Sequence, residues 1–125
     1  MADRFEDERG VITDLLMGPV DAVTQIFTKA GCVRGNHIHE QTTQWTYVVS
    51  GLLTLASQQN GRVRTTTALP GDLVCEPSSI PHAWRAEEDT IVLVFTRGPR
   101  SGEDYEMDTL RLDEPILEPH TEPGT

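Results

Sequence analysis

The sequence predicts an all-β domain of the sandwich or barrel class. Short runs rich in Thr, Val, Leu, Ile and aromatic residues recur before residue 100, and Gly, Pro and Asn separate them. No stretch of this region shows the apolar spacing of a helix. A chain of 125 residues suits one domain with one hydrophobic core.

The predicted strands are apolar runs bounded by turn residues. In chain order they cover residues 11–16, 22–28, 44–50, 52–57, 62–68, 73–76 and 91–96. Gly18 and Pro19 separate the first two strands, and Gly51 marks a bend or bulge. Asn60 and Gly61 predict a hairpin, because both residues tolerate positive φ. Residues 91–96 are continuously apolar, which is typical of a strand buried on both faces.

The composition changes after Pro99. Residues 105–112 are predicted to form a last strand or a short helix, while 113–125 are acidic and rich in proline. We therefore expect one domain over residues 1–112 and a loosely held C-terminal tail over 113–125, with His120 exposed in that tail.

Charge and composition exclude several classes of partner. The net charge of -10 argues against nucleic acid and against anionic membranes, because such partners require a basic surface. The first ten residues lack the apolar core of a secretory signal, and no run approaches the ~20 apolar residues of a membrane span. A cytoplasmic location is predicted. Cys32 and Cys75 are expected to be reduced, buried and inert.

The spacing of the histidines indicates a metal site. His37 and His39 lie two residues apart, so in a strand both imidazoles leave on the same face, with Ile38 directed the other way. Gln44 follows closely, and His82 lies far downstream in a stretch bounded by Gly and Pro. A single histidine in a β core is more often a hydrogen-bonded packing group than a ligand. Three histidines and a glutamine at fitting offsets favour the metal hypothesis over that interpretation.

These residues also fit two longer motifs. The first runs from Gly31 through His37, His39 and Gln44 to Gly51. The second motif runs from Gly71 to Ala86, and its fixed positions are Gly71, Pro77, Ser79, His82 and Ala86. In spacing, both motifs resemble those of the cupin family. Three identities differ, because Gln44 replaces a glutamate, Ser79 a glycine and Ala86 an asparagine.

This resemblance implies a double-stranded β-helix, the cupin jelly-roll barrel, and a metal centre inside it. The implied ligands of one divalent transition metal ion are His37, His39, Gln44 and His82. Imidazole and amide donors suit Zn, Fe, Ni, Mn or Cu, so the identity of the metal stays open. A neutral Gln44 leaves more positive charge on the ion than a glutamate would, which favours an anionic substrate.

A second set of short motifs concerns the reaction. Residues 34–39 read Arg-Gly-Asn-His-Ile-His, and Gln44 follows. This signature resembles that of small deoxysugar-nucleotide ketoisomerases and related capsule-biosynthesis cupins. Residues 5–10 and 102–105 also resemble segments of those proteins. The resemblance implies proton transfer beside a keto group, with His37 as the catalytic base. Some relatives of this kind bind no metal, and their barrel histidines then act directly as acid or base.

The leading hypothesis is a metal-binding cupin enzyme that isomerises or epimerises a small oxygen-rich anionic molecule, such as a sugar derivative. The alternatives are a metal-dependent dioxygenase, a polyketide cyclase of the cupin type, and a non-catalytic small-molecule binding cupin.

Other residues were assigned from their positions. Arg34 is a candidate for binding a substrate phosphate or carboxylate, or for pairing with a surface acid. If the segment around His82 is extended, Trp84 shares a face with His82, and it is expected to line the substrate pocket. Tyr105 is expected to be exposed, with a role as proton donor as the alternative. Asp72 and Glu76 are expected to be turn or solvated residues, with a role as acid or base as the alternative for Glu76. Trp45 and Tyr47 alternate with Gln44, so they should face a second sheet or the partner of a homodimer.

Overall fold

The computed structural model describes residues 3–99 and 102–120. In this part of the chain, short strands joined by tight turns account for most of the regular structure. The strands are β1 (Asp3–Asp7), β2 (Gly10–Asp14), β3 (Ala22–Thr28), β4 (Val33–His39), β5 (Thr43–Ser50), β6 (Leu53–Gln59), β7 (Arg62–Ala68), β8 (Leu73–Glu76), β9 (His82–Ala86), β10 (Thr90–Arg97) and β11 (Thr109–Arg111). The described helix, α1 (Gly102–Asp108), is too short to cross a bilayer, and the described residues include no other candidate span.

Two antiparallel sheets form the body of the domain. The four-stranded sheet has the order β3-β10-β5-β8, and the five-stranded sheet has the order β11-β4-β9-β6-β7. Strands β1 and β2 form a separate hairpin. The fold is the all-β jelly roll expected from the sequence.

The core lies between the two sheets. Val48, Val92 and Val94 come from the four-stranded sheet, and Leu53 and Trp84 come from the five-stranded sheet. All five side chains are almost completely excluded from solvent, which stabilises the sandwich by removing apolar surface from water. The interior of the barrel is therefore apolar at this level.

In β5 and β10, residues that face the core alternate with residues that face outward. Thr46 and Val48 are buried, whereas Trp45 and Tyr47 are half-buried on the outer face, as the sequence predicted. The expectation that residues 91–96 form a strand buried on both faces is wrong. Every second residue of β10 is fully buried, while the residues between them are only half-buried because they lie on the outer face of a two-layer sandwich.

A homodimer contact on this apolar outer face stays a prediction, as does the cytoplasmic location.

The turn residues act as the sequence predicted. Asn60 and Gly61 both have positive φ, at 53° and 75°, and connect β6 to β7 as a hairpin. Gly51 has φ 101°, and a Cβ atom there would lie 2.6 Å from the Thr90 Cα atom. A side chain at position 51 is therefore excluded by close approach of the backbone. Strands β1 and β9 were not predicted as strands.

The cysteines differ from expectation in one respect. Cys32 and Cys75 are free thiols, as predicted, but both are exposed rather than buried. Cys75 is on the outward side of β8, because Glu76 takes the inward side. The prediction of buried, inert cysteines is thus wrong about burial.

The C-terminal region is more ordered than predicted over residues 113–120. Residues 102–111 form both the short helix and the last strand. Beyond them, Leu117 is buried against Ala56 and Ala83 on the outer face of the five-stranded sheet. The Asn36 side chain accepts hydrogen bonds from the amides of Ile116 and Leu117 at 2.8 and 3.2 Å and donates one to the Leu117 carbonyl at 3.0 Å.

The expectation of a loosely held tail is therefore wrong for residues 113–120, while 121–125 lie outside the described residues. His120 is exposed, as expected, with Nε2 2.5 Å from Glu87 Oε1. The domain boundary at residue 112 stays a prediction.

Replacement of Asn36 tests this attachment. Asn36→Gly keeps access to the positive φ of 55° but removes all three side-chain hydrogen bonds to the tail. We expect backbone amides of residues 113–120 to exchange hydrogen at least tenfold faster, with a loss of about 2 kcal/mol of stability. Hydrogen exchange detected by mass spectrometry measures the effect. Asn36→Asp retains the two accepted bonds and should give a smaller change; equal exchange in all three proteins would contradict this account.

Candidate active site

Three imidazoles meet inside the barrel. His37 and His39 belong to β4 and His82 begins β9, and each offers a ligand nitrogen within 4.8 Å of the others. His39 and His82 are buried at 1% and 3% exposure, and His37 is half-buried. The sequence prediction that these histidines converge is thus consistent with the structure.

A β-bulge in β4 directs the histidines inward. Arg34 pairs with Trp84 and Gly35 with Ala83, but the next pair is His37 with His82, so Asn36 is the extra residue. Since one added residue exchanges the two faces of a strand, residues 37 and 39 face the interior although Val33 and Gly35 pack toward the outer face. Gly35 permits this, because a Cβ atom there would lie only 3.0 Å from the Ala83 Cα atom.

The tautomer of His39 is set by its surroundings. The Thr109 hydroxyl donates its hydrogen to the Tyr105 carbonyl at 2.8 Å, so it can only accept from His39 Nδ1, which lies 3.2 Å away. Asp108 adds a carboxylate oxygen 3.7 Å from the same nitrogen. His39 therefore carries its hydrogen on Nδ1, and Nε2 is the nitrogen able to act as a metal ligand.

Asp108 also fixes the loop after β4. The backbone amides of Gln41 and Thr42 donate to its carboxylate at 2.6 and 3.1 Å. Burial tends to raise the pKa of Asp108, but hydrogen bonds from Thr42 and Gln41 and the nearby His39 outweigh it and lower the pKa. The group beside His39 is therefore a stable carboxylate.

His82 is oriented in a similar way. Its Nδ1 atom lies 3.2 Å from the Ile80 carbonyl oxygen, which can only accept, so Nδ1 carries the hydrogen. His82 Nε2 is then an acceptor, and the Nε2 atom of His37, 3.0 Å away, donates to it. Two histidines thus present ligand-competent nitrogens toward the third.

His37 is neutral at physiological pH. Burial, together with the neighbouring His82, His39 and Arg111, lowers the pKa of His37 to about 3. A neutral imidazole can accept a proton or bind a metal ion, whereas a protonated one can do neither.

The cluster fits a transition metal ion. Two donors bound to one ion at about 2.1 Å can be at most about 4.2 Å apart. The His37 and His82 nitrogens, 3.0 Å apart, satisfy this limit, and shifts of a few tenths of an ångström bring the rest of the cluster within it. His37, His39 and His82 would hold such an ion through one ring nitrogen each. The donor set of neutral nitrogens suits Zn, Fe, Ni, Mn or Cu.

A cavity of about 600 Å³ adjoins the cluster. His37 and Gln44 both line it, and Gln44 is half-buried on the inward face of β5. Gln44 thus opens onto the same cavity as one candidate ligand, although its role as the fourth ligand stays a prediction. The volume is sufficient for a small organic molecule.

Arg34 and Trp84 also line this cavity, in agreement with their predicted positions. The Arg34 guanidinium donates to the Thr28 hydroxyl at 2.8 Å and to the Phe27 carbonyl at 3.1 Å. Among the described residues it pairs with no surface acid, in contrast to one of the two expectations. Trp84 is 4% exposed and joins the core cluster, so it forms the apolar wall. Their roles in substrate binding stay predictions.

Several cavity residues were missed or misjudged from the sequence. Tyr105 is half-buried, lines the cavity and lies with its ring centre 5.7 Å from that of His39, so the expectation of an exposed tyrosine is wrong. Arg111 lines the cavity opposite His37 in the β11–β4 pairing. Asp72 is an exposed turn residue, as predicted, but Glu76 is buried, so its assignment as solvated is wrong. No local sequence pattern indicates that Tyr105 and Arg111 belong to the cavity, because they reach it only through the packing of α1 and β11 against the barrel.

Solved structures resemble this fold closely. QdtA from Thermoanaerobacterium thermosaccharolyticum, a sugar 3,4-ketoisomerase solved in complex with TDP, has a TM-score of 0.74 at 13% identity, covering 90% of this chain and 85% of that one. A 3,4-ketoisomerase from Helicobacter canadensis has a TM-score of 0.74 at 16% identity, covering 88% and 86%. At such identities the likeness shows the fold.

The capsular polysaccharide assembling protein CapF from Staphylococcus aureus gives a TM-score of 0.69 at 18% identity. The match covers 91% of this chain and 33% of CapF, so the chain spans about a third of that protein. Comparison with curated protein sequences gave no match.

The family comparison agrees with the two motifs and with the jelly roll that carries them. The Cupin domain family matches residues 24–96, a range that begins within β3, ends within β10 and includes all three histidines of the cluster. The chain belongs to the cupin domain family.

Proposed function

We propose that this cupin is a metal-binding enzyme that transfers a proton in the isomerisation or epimerisation of a small, oxygen-rich anionic substrate such as a sugar derivative. The observation that carries this proposal is the cluster of three imidazoles beside a cavity of about 600 Å³. Hydrogen bonds to the outer nitrogens of His39 and His82 support the metal part of the proposal, because they orient both rings as ligands.

His37, His39 and His82, with Gln44, would hold one divalent transition metal ion. Such an ion supplies Lewis-acid chemistry, stabilising the negative charge that develops on a substrate oxygen during proton removal. The protein's own contribution is to hold His37 neutral and to place the apolar Trp84 in the wall of the cavity that His37 lines.

The walls of the cavity favour an anionic substrate. Arg34 and Arg111 line it, and Gln44 is neutral. Arginine binds carboxylate and phosphate groups in planar, bidentate geometry. Tyr105, on the same wall, carries a phenolic hydroxyl that can donate a hydrogen bond to a substrate oxygen.

A metal-free mechanism is the second candidate, and the 3.0 Å contact between His37 and His82 favours it. In that case neutral His37 receives the substrate proton, and His82 shares it through the hydrogen bond between the two rings. The structural likeness to sugar 3,4-ketoisomerases supports the same reaction class for either candidate.

Metal content separates the two candidates. We expect the wild-type protein, purified without chelator, to retain about one divalent transition metal ion per chain, and His39→Ala to lose it while keeping its β-sheet circular dichroism. The substitution removes a buried ligand nitrogen, and His39 is not a member of the main apolar cluster that holds the sheets together. Elemental analysis measures the metal. An unchanged metal content in His39→Ala would show that the ligand assignment is wrong.

The reaction class is tested by isotope exchange. We expect deuterium from D2O to enter TDP-4-keto-6-deoxyglucose, or a uronate sugar acid, at a carbon beside its carbonyl group in the presence of the protein. His37→Gln should slow the exchange by at least a hundredfold. NMR of the recovered sugar measures it. Oxygen consumption without exchange would instead identify a dioxygenase, and the absence of both with retained ligand binding would identify a binding protein.

Acid stability provides a third test, directed at His37. Its pKa is about 3 when folded and about 6.5 when unfolded. Between these values the unfolded state binds more protons, so this group makes the folded state less stable as the pH falls from about 6.5 toward 3. In the presence of a chelator, Tm should fall less from pH 7 to pH 4.5 in His37→Gln than in the wild type. Equal falls in both proteins would contradict a buried, neutral His37.

A further inference from the structure

A buried carboxylate lies beside the histidine cluster. Glu76 ends strand β8, is 6% exposed and pairs directly across the strands with Gln44. Its Oε1 atom accepts a hydrogen bond from the Thr46 hydroxyl. Its Oε2 atom is buried without a hydrogen-bond partner among the described residues and lies 3.7 Å from His82 Nε2.

This arrangement calls for a nearby positive charge. An isolated buried carboxylate destabilises the folded protein unless it is paired with a positive charge. Among residues 3–99 and 102–120, the only basic side chain within 4.0 Å of Glu76 is His82. The nitrogen of His82 that faces Glu76 is the same one that faces His37. A cation at the histidine cluster would therefore also lie next to the unsatisfied oxygen.

We infer that Glu76 supplies the negative charge of the metal site, in place of the carboxylate that the cupin motif carries at the position of Gln44. The two residues are cross-strand neighbours on the inward face, where Cβ atoms of directly paired residues are about 5 Å apart. The carboxylate is thus on β8 instead of the neighbouring β5, and it still faces the inside of the barrel. This inference rests on the metal-binding part of the proposed function.

A carboxylate at Glu76 instead of at position 44 changes which side of the histidine cluster carries the negative charge. Gln44 lines the first cavity together with His37, whereas Glu76 and His82 line a second cavity of about 460 Å³. Among the described residues that line the first cavity, the only acid is Glu106, exposed on α1. A substrate anion entering the first cavity therefore meets Gln44, Arg34 and Arg111, and not the charge-balancing carboxylate. The site keeps its charge balance and still admits an anion as a direct ligand of the ion.

Metal affinity tests the role of Glu76. Competition between the protein and a chelating dye for Co²⁺ gives the dissociation constant. We expect Glu76→Gln to weaken Co²⁺ binding by about ten- to a hundredfold, the usual effect of removing a group that supports a metal ligand. Glu40→Gln is the matched control, because it removes the same charge from an exposed position next to His39, and its affinity should stay within about twofold of the wild type.

A charge rescue distinguishes this role from a purely structural one. The double variant Gln44→Glu with Glu76→Gln restores one carboxylate, and its Co²⁺ affinity should return to within about fivefold of the wild type. The single variant Gln44→Glu should bind Co²⁺ at least as tightly but bind acetate more weakly, by tenfold or more. The shift of the visible Co²⁺ spectrum on adding acetate measures the second effect.

The outcomes separate the inference from the proposed function. Wild-type affinity in Glu76→Gln, or failure of the double variant to recover, would overturn the role of Glu76 while leaving the metal site intact. A wild-type protein that does not bind Co²⁺ would overturn both. If Glu76→Gln does not fold, the acetate titration of Gln44→Glu decides, since unweakened acetate binding there contradicts the inference.

Discussion

The site depends on one extra residue in strand β4. Without the bulge at Asn36, the alternation that places Val33 and Gly35 toward the outer face would send His37 and His39 outward as well. With it, His37 lies opposite His82 on β9, and His39 lies opposite Thr109 on β11. The same strand pairing thus assembles the imidazole cluster on one side and the hydrogen bond that orients His39 on the other.

Electrostatics inside the barrel follow from this packing. Three imidazoles in close contact cannot all be charged, so burial and mutual repulsion hold His37 neutral. Carboxylates lie beside two of the rings, Asp108 near Nδ1 of His39 and Glu76 near Nε2 of His82. Asp108 is satisfied by backbone amides, whereas one oxygen of Glu76 is not. This unsatisfied oxygen of Glu76 is the observation behind the inferred positive charge at the histidine cluster.

Much of this fold could be predicted from the sequence. Apolar runs bounded by turn residues predicted strands that correspond to β2, β3, β5, β6, β7, β8 and β10, and Asn60 with Gly61 predicted a hairpin, because these signals are local. Strand β9 directs His82, Trp84 and Ala86 to one face, but the segment is short and mixes polar and apolar residues. Its sequence therefore does not predict a strand. The double burial expected for residues 91–96 failed because hydrophobicity alone does not tell whether a second layer covers the outer face.

The candidate site was predictable where its residues lie in the two cupin motifs. His37, His39 and His82 have fixed offsets within the two cupin motifs, so they could be identified together. Tyr105, Asp108 and Arg111 could not be, because they reach the cluster only through the return of α1 and β11 across the barrel. Glu76 was misjudged because its carboxylate points inward only by the parity of a four-residue strand.

The hydrogen bonds of Asn36 connect two regions that are distant in the sequence. Its backbone forms the bulge that precedes His37, and its side chain secures Ile116 and Leu117 on the opposite surface of the sheet. Cleavage or fusion within residues 113–120 would disturb the hydrogen bonds between this segment and Asn36, the residue that directly precedes the candidate ligand His37. Changes within residues 113–120 should therefore be designed with the candidate active site in mind.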